Sequence, residues 1–224
     1  MCFSATASFT AGAALVAVGA FTTSRIRQPA ELPFALIPVL FGVQQLIEGA
    51  LWLTFPDEAP HLNAVLTHLY SLFSHVLWPI YVPIAVLLLE DVPWRRKVLA
   101  GIALAGAAVG LYLMYFLIAE PIEARVVGRH IAYLSPHFYV VPVMVLYVLG
   151  ACVSAFLSSC GTIRWFGVAT FVSLVAAYAF YAVWFISVWC FFAAMLSVIV
   201  LVHFVGGQPR VRTLVNRNPR RGSP

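Results

Sequence analysis

Along the chain, long apolar runs alternate with short breaks where charge, proline and glycine collect. Several of the runs approach or exceed the ~20 apolar helical residues that one bilayer crossing takes. Five of them cover residues 8–22, 32–54, 64–89, 98–119 and 137–157. A sixth stretch, residues 164–206, is 43 residues long, about twice what one crossing needs. It is therefore divided near residues 182–184 into helices over 164–182 and 185–206, although no Gly, Pro or Asn marks the turn. The pattern predicts an all-α fold: a seven-transmembrane-helix bundle over residues 1–207, followed by a basic tail over 208–224.

Composition agrees with the pattern. The 224 residues are 62% hydrophobic and 9% charged, with a mean hydropathy of +0.96. A soluble domain is nearer ~45–50% apolar and ~25% charged. This excludes a disordered chain, a disulfide-stapled module and a nucleic-acid reader, and turns the net charge of +5 into a statement about orientation. Eleven of the thirteen basic residues fall on one face of the segmentation: Arg25, Arg27, Arg95, Arg96, Lys97, Arg164 and the five arginines of the tail. Arg125 and Arg129, with Asp57 and Glu58, fall on the other. The positive-inside rule then predicts the N-terminus outside and the C-terminus cytoplasmic, with the lipid bilayer as first partner and the bacterial inner membrane as location. The first run has neither a basic start nor a small-residue cleavage site, and reads as a retained helix. Cys2, Cys152, Cys160 and Cys190 show no CxxC spacing and imply no disulfide framework.

Gly106 and Gly110 form a GxxxG in the fourth run, a packing face open to a neighbouring helix or to a second copy of the chain as a homo-oligomer. Pro79, Pro83 and Pro142 fall within runs and predict kinks.

Glu48 is the one acidic residue inside a predicted span, and an ionisable group in hydrocarbon is costly unless it meets a partner or a water-filled cavity. Gln44, Gln45 and Trp52 share its helix face at offsets of three and four. The third run carries a second stripe, His68, Ser71 and His75, flanked by Thr67, Ser74 and Trp78. At ~1.5 Å per residue Glu48 is level with His68, and Gln44 with His75, if the two helices are antiparallel. His137, Cys2 and Ser4 could reach the same outer layer. Three uses compete for this cluster. It could be a hydrogen-bonded network in a structural or partner-binding subunit, or an outward pocket for a small polar ligand, cation or proton. It could also be a divalent-metal site of Glu48, His68, His75 and Cys2 serving a hydrolase. The metal use is disfavoured by spacing, because His68 and His75 are seven apart rather than four and no HExxH occurs.

The opening Met1-Cys2-Phe3-Ser4-Ala5-Thr6-Ala7-Ser8-Phe9, the Gln44-Gln45-x-x-Glu48-Gly49 segment and His75-x-x-Trp78-Pro79-x-x-x-Pro83 resemble a family of bacterial multi-pass membrane proteins known as a domain of unknown function. The resemblance spans nearly the whole chain and implies no activity. Two other seven-span classes fit poorly. The only lysine, Lys97, lies in a loop, so no retinal Schiff base can form, and the last run lacks the HxxxH pair of seven-span zinc hydrolases.

Overall fold

The computed structural model describes residues 4–55 and 59–206, apart from the side chain of Pro136. Cys2, Asp57, Glu58 and the basic tail lie outside the described residues. The chain is nearly all helical. Ser4 caps α1 (Ala5–Ser24), its hydroxyl accepting the Ala7 N–H at 3.3 Å. A 3-10 turn, Pro29–Glu31, leads into α2 (Leu32–Trp52). Then come α3 (Pro60–Leu89), α4 (Pro93–Ala119), α5 (Val141–Phe156), α6 (Gly161–Tyr181), α7 (Phe185–Met195) and α8 (Ser197–Val205).

Among the described residues, five helical stretches are long and apolar enough to cross a membrane: Ala5–Ser24, Pro29–Trp52, Pro60–Leu89, Pro93–Ala119 and Gly161–Val205. Val141–Phe156 is shorter. The 45-residue stretch Gly161–Val205 breaks at a 3-10 turn, Ala182–Trp184, and α6 packs back along α7 and α8. Helix faces carry exposed apolar side chains, including Leu104, Leu111 and Ile118 at seven-residue spacing on α4 and Val172, Val175 and Phe180 on α6. In water such faces would be unfavourable, and in lipid they are ordinary.

The expected loop after the fourth run is instead a β-hairpin. β1 (Glu123–Val127) pairs antiparallel with β2 (His130–Leu134), Val127 opposite His130, so Gly128 and Arg129 form a two-residue turn. Gly128 has φ +65°, a conformation that costs glycine little. Ile131, Ala132 and Tyr133 of β2 are buried, and the Trp184 indole N–H donates to the Val127 carbonyl at 3.0 Å, tying the hairpin to the α6–α7 turn. His137, expected at the start of a helix, lies in a 3-10 turn, Pro136–Tyr139, and α5 begins only at Val141.

Two prolines shape α3. Pro79 has no N–H for the His75 carbonyl, and just before it the helix widens into a π turn, Leu72–Leu77. Pro83 likewise leaves the Pro79 carbonyl without its helical donor. Gly106 of α4 and Gly150 of α5 close on that oxygen from two sides, so near that a Cβ on Gly106 would lie 2.0 Å from it and one on Gly150 2.7 Å. Their Cα–H groups are the available weak donors. Gly110 packs on Ile80 and the Val76 carbonyl. Within the chain the Gly106 and Gly110 face is thus packed against α3.

Candidate functional site

Glu48 is fully buried, and its carboxylate Oε1 accepts the Ser187 hydroxyl of α7 at 2.7 Å. One turn earlier on α2, Gln44 accepts the Trp78 indole N–H at 2.9 Å, while Phe41 stacks on the Trp78 ring at 3.8 Å. Cys190 of α7 lies close to the side chains of Gln44, Tyr70 and Glu48. Tyr70 lies flat against Tyr133 of the hairpin, ring centroids 4.4 Å apart. The polar cluster therefore joins α2, α3, α7 and the hairpin: Gln44 and Glu48, Tyr70 and Trp78, Ser187 and Cys190, Tyr133.

Several buried polar atoms near these elements have no hydrogen-bond partner among the described residues. They include both amide atoms of Gln45, Ser71 Oγ, His75 Nε2 and the indole N–H of Trp52 and of Trp189. Each such group in hydrocarbon costs free energy, and native proteins leave few of them. Trp189 and Cys190, with Phe41, Trp78, Tyr147 and Thr170, line a cavity of about 20 Å³, room for roughly one water. Its walls are mostly apolar side chains, and Glu48 is not among them.

The histidines divide. His75 is buried; its Nδ1 meets the Ser74 hydroxyl at 2.8 Å, and it lines a second cavity of about 20 Å³ with Ser135, Glu120 and His137. At that cavity His137 Nε2 pairs with Glu120 at 2.9 Å and its ring stacks on Phe116 at 3.6 Å. His68 belongs to neither group: its Nδ1 contacts the Ala64 carbonyl of its own helix at 2.7 Å, and it faces an open apolar groove with Met114, Leu117 and Ile118. The reason is the π turn. His75 lies inside it and His68 before it, so the regular seven-residue register that would align the two rings is interrupted. Trp52 is half-buried and meets Phe55 edge-on.

Among the described residues no group of three or more His, Cys, Asp or Glu is placed to hold a metal ion, so Glu48, His68 and His75 do not form one there. Cys2 falls outside the described residues. The sequence reading missed Ser187, Tyr70, Cys190 and Tyr133. Ser187 carried a signal, as the one hydroxyl in the apolar run of α7, and Tyr70 shares the buried face of Thr67, Ser71 and Ser74.

A model of a family of unknown function, DUF6629, matches residues 1–215. Neither the curated proteins nor the solved structures contain a match.

Proposed function

The chain belongs to DUF6629, a family of unknown function, and from its own site we propose that it is a multi-pass membrane protein that binds a proton or a small monovalent cation at Glu48. In this reading the 45-residue stretch makes two passes and Val141–Phe156 a short one, about 24 Å long, giving seven. The N-terminus is outside, the C-terminus cytoplasmic and the membrane a bacterial inner membrane, an orientation supported by the basic residues. Glu48 and the hairpin then share the outer half.

The observation that carries the proposal is the full burial of Glu48 in a membrane helix against Ser187, beside polar groups that have no partner in the described chain. An intramembrane carboxyl is by default a functional group. Glu48 carries or neutralises the charge, while Gln44, Gln45, Tyr70 and Ser187 supply dipoles. His75, with Ser71 behind it, and the His137–Glu120 pair mark a second polar lobe under the hairpin. The full burial of Glu48, Gln44, Gln45 and Ser187 favours a proton or a bare ion over an organic ligand. A hydrolytic metal centre would need Glu48, His68 and His75 to converge, and they face different surroundings.

Infrared difference spectra test the proposal. The carbonyl stretch of a protonated carboxylic acid should change with pH or with sodium concentration and vanish in Glu48→Gln. A difference spectrum identical in Glu48→Gln and the parent protein would overturn it.

A further inference from the structure

At the opposite end of the bundle, where α3 ends and α6 begins, a second chemical grouping lies apart from Glu48. Cys160 is the residue before α6, half-buried, whereas Cys152 and Cys190 are fully enclosed. Its sulfur lies 3.7 Å from Nδ1 of His203 on α8. The imidazole is fixed edge-on between Phe34, at 5.3 Å, and Phe204, at 5.0 Å, so the nitrogen facing the sulfur is held in place by packing.

The loop that presents Cys160 is anchored on both sides. Glu90, fully buried, accepts the Ser159 N–H at 2.6 Å and the Val92 N–H at 3.0 Å, and Arg95 donates to the Leu157 carbonyl at 3.3 Å. The charged groups of the packed elements are Glu90, whose two oxygens each accept a backbone amide, the exposed Asp91 beside it, Arg95, Arg96 and Lys97 on α4, Arg164 on α6, Glu31 at the start of α2, and His203. Arg96, Lys97 and Arg164 are exposed on this face and make it electropositive. Burial pushes the Cys160 thiol up, but His203 and the amides of Ile163 and Thr162 outweigh it and bring it down to about 7, without a well-formed capping hydrogen bond.

We propose that Cys160 is a thiol-exchange site, with His203 as its base, that forms mixed disulfides with small anionic disulfides. In the step, His203 Nδ1 takes the thiol proton and the Cys160 thiolate attacks one sulfur of the small disulfide. A new S–S bond forms, the old one breaks, and the second sulfur leaves as a thiolate that receives the proton from the imidazolium. The Cys160 sulfur is oxidised and the leaving sulfur is reduced, so the electrons balance. The arginines on this face attract the negative groups of the disulfide.

The test uses the full chain in mild detergent with Cys2→Ser, and the aromatic dicarboxylate disulfide DTNB as probe. One rapid equivalent of released thiol is expected, absent in Cys160→Ser, with a pH midpoint near 7 rather than the ~8.5 of an ordinary thiol. His203→Gln should slow it about tenfold at pH 7 and move the midpoint up by at least one unit. Arg164→Gln should slow DTNB but not a neutral aromatic disulfide. A rapid equivalent that survives Cys160→Ser, no rapid equivalent in the folded parent protein, or a parent midpoint of ~8.5 would each overturn the proposal.

Discussion

His130 shows how one residue ties the hairpin to solution conditions. It is 8% exposed, packed between the rings of Tyr181 and Trp184. Burial, and then the neighbouring Arg129 guanidinium, hold its imidazole below the ordinary 6.5. A histidine lowered in the folded state is neutral there while the unfolded chain takes a proton, so stability rises with pH through this window. Its contribution is fully present above ~6.5 and is lost as pH falls from there toward the depressed folded value. Thermal unfolding followed between pH 5 and 7 should show stability falling on acidification, with a shallower slope in His130→Gln. An unchanged slope would mean that other groups set the acid limit. The buried carboxyl of Glu48 was legible in the sequence from its type and position alone, but its partner Ser187, 139 residues away, was not, because no spacing rule links two helices so distant in the chain.

At the scale of the element, α3 decides what the site contains. The sequence offered His68, Ser71 and His75 as one stripe, which holds for a regular helix. The π turn ahead of Pro79 contains His75 and breaks its register with His68 and Ser71, and its signal was the proline rather than the stripe. The same prolines explain the glycines of α4: Gly106 is small because the Pro79 carbonyl occupies the space of its side chain, whereas Gly101 meets nothing within 4 Å. Gly106→Ala should therefore cost about 1–3 kcal/mol or more through overpacking. Gly101→Ala should be neutral or stabilise by up to about 1 kcal/mol through helix propensity. Thermal unfolding in detergent separates the pair, and equal effects would contradict the packing described. The hairpin was missed for a related reason: its two strands are five residues each, and only the Gly128-Arg129 turn between short alternating runs announced them.

In the whole molecule, length and hydropathy were enough to establish a largely helical chain with helices fit for a bilayer, and even the break at Ala182–Trp184 followed from length alone. The way the elements meet was not, since it depends on side chains from α2, α3, α7 and the hairpin arriving together around Glu48. That convergence buries the Glu48 carboxyl beside a hydroxyl and side-chain amides, the arrangement on which the proposed proton or ion binding rests. The most direct test is the melting temperature of the purified protein as sodium, potassium and pH are varied above pH 7, where His130 does not contribute. An ion that binds only the folded state at about a hundred times its Kd stabilises by about 2.7 kcal/mol, a shift of several degrees for a chain of this size. Such a shift is expected in the parent protein and in His68→Ala, and none in Glu48→Gln. A Glu48→Gln protein that melts with the same ion and pH dependence as the parent would contradict it.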